Sequence, residues 1–330
     1  MPPNAVRRLE NMTHHKHRDR SWPALPQPLP EGAQVIDNHT HVASVVNYSQ
    51  YMSSEAAARG QYDVPVYSTE ELLRRAASVG VTGIIDDACE YPHLRTAINM
   101  AKAYPGQVHA GVAIHPNEAV AHGHRAQMGP DGLEPHYMPW HDIPFDEALA
   151  EVDRLARENP REVVVIGETG LDYFRCGEDA RRYQFEAFRA HIALAKELNL
   201  PMQIHDRDAH EDCIATLLRD GAPERTVFHS FSGDARMGGI CKENGWYMSF
   251  SGTVSYKGND GIREALALAD PTRILVETDA PYLTPMPYRG RTNSPSMIPY
   301  TLRAMAQVRG CSVEEMARIT RRNTRECYGI

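Results

Sequence analysis

The chain contains no uninterrupted apolar run of about 18 residues, the length a helix needs to cross a bilayer, and its mean hydropathy is −0.48. Membrane residence is therefore not expected. Its six cysteines, at positions 89, 176, 213, 241, 311 and 327, include no C-x-x-C pair, and the first thirty residues hold no apolar signal-like stretch. A cytoplasmic chain with reduced thiols is the expectation. Positive charge is not in surplus: 35 Lys and Arg stand against 43 Asp and Glu, a net charge of −8. No global field draws polyanions in, which counts against a high-affinity nucleic-acid binder. Any phosphate-bearing substrate has to be held locally, by metal ions and a few arginines. Also absent is the Gly-rich first turn that opens many doubly wound sheets.

What is present is a 330-residue chain with 42% apolar side chains, enough for one large core in one catalytic domain. Residues 1–33 are rich in Pro, Arg, His and Asn, and prolines at 23, 26, 28 and 30 remove backbone donors and restrict φ. The segment reads as a flexible Pro-rich N-terminal tail, in which nothing nearby orders His14, His15 and His17 into a metal-binding tract. Over 34–330, short β-branched runs alternate with longer amphipathic stretches. Strands are predicted at 34–39, 81–86, 107–113, 162–167, 200–205, 225–229, 245–250 and 273–278. Helices are predicted at 69–79, 91–104, 145–158, 178–198, 209–220, 234–242, 259–269, 296–308 and 312–327. Eight strand–helix units favour a closed (β/α)8 TIM barrel over an open sheet of about five to seven strands.

Two connections, 42–68 and 116–144, are too long for simple βα loops, which take about 2–6 residues. The second carries His122, His124, His136, His141 and Trp140 and follows a strand, so it should rise on the active-site face. A lid or substrate-facing wall is one reading of it and mere decoration of the rim the other.

In such a barrel only side chains at the carboxyl ends of the strands converge above the mouth. Six metal-capable residues stand there. His39 and His41 close the first strand in DNHTH, and a spacing of two turns both imidazoles to one side of an extended chain. Glu168 follows VVVIG on the fourth strand, His205 ends the fifth in PMQIH, His229 the sixth in TVFH, and Asp279 the eighth in ILVETD. One histidine at a strand end is more often a hydrogen-bonded structural residue than a ligand. Six such groups in order shift the balance to a metal site, with donors that suit Zn2+, Mn2+, Fe or Mg2+.

The sequence resembles the TatD family of metal-dependent deoxyribonucleases, within the amidohydrolase superfamily, over roughly residues 34–330. The segments that carry the resemblance are IDNHTHV (36–42), GVAIHP (111–116), IGETGLDYF (166–174), QFEAFRAHIALAKELNLPMQIHDRDA (184–209), FHSFSGDA (228–235), SFSGTV (249–254), LVETDAPYLTP (275–285), RGRTNSP (289–295) and RRNTRECYG (321–329). The resemblance implies two divalent metal ions, one held by His39, His41, Glu168 and Asp279 and the other by Glu168, His205 and His229, with Glu168 as the bridge. Many members of the wider superfamily use a carboxylated lysine as the bridge, so Glu168 points to the TatD branch. The chain departs from the family pattern in the 1–33 segment, in the two long connections, and at Ala43, where an acidic residue is frequent. These departures spare the metal set and bear on substrate choice.

The implied activity is a 3′–5′ exonuclease that hydrolyses DNA phosphodiesters with water activated by two metals, Mg2+ first, with Zn2+ or Mn2+ as alternatives. Glu168 and Asp279 are the catalytic candidates; the family pattern implies that Asp279 takes the water proton and returns it to the leaving group. His115 and Arg207 are candidate phosphate contacts, as are Arg289, Arg291 and Asn293 in the loop after the eighth strand. Tyr173 and Phe231 read either as base-stacking rings or as wall packing. A second reading keeps scaffold and ligands but gives them a small amide, lactone or phosphoester substrate, which the negative charge and capped mouth would suit. DNA, single-stranded or at 3′ ends, is the expected partner. No membrane and no obligate protein partner are expected.

Overall fold

The short β-branched runs form eight parallel strands: β1 (Val35–Thr40), β2 (Val81–Ala88), β3 (Val108–Val112), β4 (Val163–Asp172), β5 (Met202–Arg207), β6 (Thr226–Phe228), β7 (Tyr247–Phe250) and β8 (Ile274–Val276). They pair in sequence order. Past the end of β8 the backbone closes on β1, with Asp279 N–H donating to His39 O (3.0 Å) and His41 N–H to Ala280 O (2.9 Å). The structure, a computed structural model, describes residues 22–58 and 65–330. The predicted (β/α)8 barrel is found, each strand within a few residues of its expected place except β4. That strand runs on to Asp172 because Gly170 lets it lie against β5, where a Cβ would sit 2.1 Å from His205 O.

The outer layer comprises α1 (Val42–Ala58), α2 (Thr69–Ser78), α3 (Leu94–Ala103), α4 (Pro116–Ala121), α5 (Phe145–Glu158), α6 (Arg181–Leu198), α7 (His210–Asp220), α8 (Ala235–Glu243), α9 (Asp260–Leu268), α10 (Ile298–Arg309) and α11 (Val313–Tyr328). Local chemistry sets their ends. Ser68, Asp234 and Ser312 accept the N–H groups of Glu71, Met237 and Glu315 at the starts of α2, α8 and α11. In α5 the buried residues Ala148, Val152, Leu155 and Ala156 recur at helical spacing on one face.

The segment 42–68, read from sequence as a connection, contains α1 instead. Asp86 Oδ1 accepts Val42 N–H (2.7 Å) at its start, and Val42, Val45 and Met52 are buried. A helix rich in Val and Ser has weak intrinsic propensity and a poor apolar period, so docking rather than local preference specifies it. The second long connection opens with α4 and then runs over the loop that follows β4. Asp131 N–H donates to Phe174 O (3.0 Å) and Gly177 N–H to Gln127 O (3.3 Å).

Residues 22–33, the described part of the segment read as a tail, lie against the barrel. Leu29 is buried and its N–H donates to Val79 O (3.1 Å); Trp22 Nε1–H donates to Pro65 O (2.9 Å). His14, His15 and His17 lie outside the described residues. Among the described residues no helix is long and apolar enough to cross a membrane.

The period of two along each strand stacks the barrel interior in layers. At the base, Ile85, Val165, Val227, Tyr247 and Leu275 pack with Cys327 and Tyr328 of α11. Above them is a polar layer. Gln203 donates to Asn38 O (2.7 Å) and to the Tyr328 hydroxyl (2.8 Å), Asn38 donates to Ser249 Oγ (2.8 Å), and Ser249 donates to Glu277. Two residues beyond Gln203 and Glu277, His205 and Asp279 reach the mouth.

Candidate metal centre

The top layer gathers all six metal-capable residues singled out from sequence. Glu168 is at the middle. Its Oε2 lies 2.9 Å from His205 Nδ1 and 2.8 Å from His229 Nε2, and its Oε1 lies 3.6 Å from His41 Nε2. Asp279 Oδ1 stands 3.5 Å from His41 Nε2 and 3.8 Å from His39 Nε2. Its backbone is left-handed, with φ of 53°, a conformation a non-glycine residue keeps only when its surroundings dictate it. Here its N–H is bound by His39 O and its own carbonyl by Tyr282 N–H.

The outer partners of the imidazoles determine which nitrogen faces inward. His39 Nδ1 meets Gln203 Oε1 at 2.9 Å; because the Gln203 amide nitrogen is spent on Asn38 O and the Tyr328 hydroxyl, Oε1 accepts and His39 carries its proton on Nδ1. Its Nε2 is fully buried with no hydrogen-bond partner. His41 donates from Nδ1 to Asp87 O (2.9 Å). His229 Nδ1 lies 3.4 Å from Glu277 Oε1, and His205 Nε2 lies 3.2 Å from Asp172 Oδ2. The remaining nitrogen of each ring points at Glu168 or Asp279. An orphaned buried lone pair is costly, and lone pairs aimed at carboxylates repel unless a cation lies between them. The donor set therefore fits divalent metal.

Charge makes the same demand. Burial works against an imidazolium at His39, His41, His205 and His229, yet the surrounding carboxylates outweigh it and all four titrate above the ordinary histidine value, His205 at about 9. Glu168 is held below the usual carboxylate range in spite of burial, chiefly by His229 and His115. A pocket that pulls protons onto four imidazoles is one where cations displace them. His39, His41 and Glu168 present donor atoms within 4.8 Å of one another, as do Glu168, His205 and His229, and as do His39, His229 and Asp279.

His115, Asp172 and His205 satisfy the same distance test, but chemistry separates His115 from the ligands. Its Nδ1 accepts the backbone N–H of Asn117 (3.1 Å) at the start of α4, so the neutral ring carries its proton on Nε2. That nitrogen sits 4.0 Å from Glu168 Oε2, facing the mouth as a donor.

The other substrate candidates divide. Arg207 and Arg289 are exposed, with guanidinium groups 4.0 Å from the Phe174 centroid and 4.3 Å from that of Tyr256. Arg291 lies 5.1 Å over Tyr288. Asn293 is fully buried; its amide donates to Thr278 O (2.9 Å) and Tyr282 O (2.6 Å), and its oxygen accepts Ser294 N–H (3.0 Å). Its hydrogen-bonding capacity goes to the loop, so it braces the loop and is not a phosphate contact. Phe231 is core, packed on Phe250. Tyr173 donates to Asp212 (2.5 Å) beneath Arg181. The orienting residues Asp87, Asp172, Gln203 and Glu277 went unnoticed in sequence. Period-two spacing from His205 and Asp279 pointed to Gln203 and Glu277, and the GLDYF run contained Asp172.

The family model described as TatD related DNase matches residues 36–329. The chain belongs to the TatD family. It is 39% identical over 269 residues to an uncharacterized metal-dependent hydrolase TatD of Mycobacterium tuberculosis, covering 80% of this chain and 92% of that one. It is 31% identical to a Pantoea ananatis protein named 3′-5′ ssDNA/RNA exonuclease TatD, covering 79% of this chain and 93% of the relative. The crystal structure of the Escherichia coli TatD homologue YjjV superposes with a TM-score of 0.70 at 24% identity, over 90% of this chain and 98% of that one. Like other members of its family, this chain is a metal-dependent hydrolase.

Proposed function

We propose that this TatD-family hydrolase is a 3′–5′ deoxyribonuclease acting on single-stranded DNA ends with two divalent cations. The observation that carries the reading is the set of imidazole nitrogens of His39, His41, His205 and His229 turned toward Glu168 and Asp279. The exonuclease name of the Pantoea ananatis relative supports the substrate class. His39, His41, Glu168 and Asp279 would hold one cation and Glu168, His205 and His229 the other. When bound, the cations supply an activated water and neutralise charge on the phosphoryl group. Mg2+ suits this chemistry, and Zn2+ or Mn2+ suits the same donors.

The chain's own groups do the rest. Asp279, whose side chain reaches solvent at 14% exposure, accepts the proton of the attacking water and returns it to the departing oxygen. His115 donates from Nε2 to a phosphoryl oxygen. Arg207, Arg289 and Arg291 bind flanking phosphates, which a guanidinium does in bidentate fashion. Six unpaired cysteines fit a reducing, cytoplasmic setting. The net charge of −8 favours the second reading, a small amide, lactone or phosphoester substrate. Metal-reconstituted protein should release mononucleotides from the 3′ end of a single-stranded oligonucleotide and leave chromogenic esters and lactones almost untouched. The reverse pattern would replace the nuclease with the small-substrate hydrolase.

A further inference from the structure

Asp172, at the last position of β4, is almost completely buried, and both of its oxygens are occupied as acceptors. Oδ1 takes the backbone N–H groups of Phe174 (3.0 Å) and Arg175 (2.9 Å). Oδ2 accepts Asn117 Nδ2–H (2.9 Å) and lies 3.2 Å from His205 Nε2. Gln184 completes the knot, accepting Asp172 N–H (2.9 Å) and donating to Asn117 Oδ1 (3.3 Å). Asn117 in turn belongs to the first turn of α4, where its N–H is bound by His115.

His205 has two nitrogens between two carboxylates: Nε2 at Asp172, Nδ1 at Glu168. Only one can carry the proton of a neutral imidazole, and only the other can bind a cation. We propose that Asp172 is the positioning residue that decides this choice. By accepting Nε2–H it presents the Nδ1 lone pair of His205 to the cation shared with Glu168 and His229, while Asn117 ties that decision to the 116–144 connection. The inference rests on the two-cation reading and goes beyond it.

The chemistry gives Asp172→Asn a definite outcome. With four donors converging on two acceptor oxygens, an amide NH2 must face donors on one side. Two fixed backbone N–H groups keep the amide oxygen at the Phe174 side, so the NH2 points at His205 Nε2. His205 then keeps its proton on Nδ1, where the cation belongs.

The test titrates metal-free protein with Zn2+ alone and reads stoichiometry and affinity by calorimetry. It also reads the tautomer of His205 from 15N-histidine spectra of the zinc-loaded protein, the signal being assigned with His205→Gln. Wild type is expected to bind two ions, with His205 protonated on Nε2. Asp172→Asn is expected to lose about 10–100-fold in affinity for one ion and to keep the other. If wild type binds fewer than two ions, the two-cation reading fails. If it binds two while Asp172→Asn keeps both affinities, only the role of Asp172 fails. Should the variant not fold, the wild-type spectrum still decides: zinc on Nε2 with the proton on Nδ1 overturns the proposal.

Discussion

Within the mouth three of the four ligand imidazoles have the outer nitrogen hydrogen-bonded to a fixed partner, Gln203 for His39, the Asp87 carbonyl for His41 and Asp172 for His205, and that of His229 lies 3.4 Å from Glu277. On the rim, the exposed Arg207 and Arg289 lie over the rings of Phe174 and Tyr256 and the half-buried Arg291 over Tyr288; such a contact is worth about 0.5–1 kcal/mol at exposed sites. Buried polar groups must be satisfied and so leave little freedom for change. Surface stacks leave a great deal. On the proposed function, the reaction depends on the floor of the barrel, and the choice of substrate on a rim that can change at small energetic cost.

The largest effect should come from breaking the floor. Glu168→Ala removes the carboxylate that three histidines face, and kcat/KM should fall by at least about 1000-fold, some 4 kcal/mol of barrier, with the far-ultraviolet circular dichroism unchanged. Near-normal turnover would remove Glu168 from the chemistry.

A second test reaches the floor from behind. His191 is fully buried; its Nε2 accepts Ile114 N–H (3.1 Å), next to His115, and its Nδ1 donates to Ala187 O (2.8 Å). Burial lowers its pKa from 6.5 to about 4. The unfolded chain thus takes up a proton near pH 6.5 that the folded chain refuses. Stability from this group is complete above pH 6.5 and declines as pH falls toward 4, by about 3 kcal/mol over the window. His191→Gln should flatten that part of the profile in denaturant titrations. An unchanged slope would show that His191 does not govern it.

At the opposite end of the barrel, where Leu29 packs beside the start of β2, deletion of residues 1–32 should spare hydrolysis yet lower stability by about 2–3 kcal/mol, since buried Leu29 goes with the segment. An unchanged melting temperature would return 22–33 to the status of a tail. The smallest effect belongs to the rim. Arg207→Ala or Arg291→Ala should cost oligonucleotide cleavage about 1.5 kcal/mol, near tenfold, and reduce its salt dependence by about one phosphate contact. Neither should alter zinc affinity; if one does, the separation of floor from rim breaks down.

The same division governs what the sequence disclosed. Strand ends were legible because short β-branched runs finish in His, Glu or Asp, and a parallel barrel sends such residues to one face. The orienting groups were not, because Gln203 and Asp87 are ordinary strand residues until β1, β2 and β5 bring them beside His39. Asn293 misled through its place in a loop rich in Gly and Pro, where only the fold shows that its amide is spent on Thr278 and Tyr282. α1 escaped because its valines and serines carry a weak helical signal, and its start depends on Asp86, 44 residues away.

The most direct test of the central claim counts metal. Metal-free protein equilibrated with Zn2+, freed of excess ion and analysed for its elements should hold two ions per chain, and Glu168→Gln should hold at most one at the same free concentration. Wild type with one ion or none, or Glu168→Gln retaining two with unchanged affinity, would contradict a paired cation site bridged by Glu168.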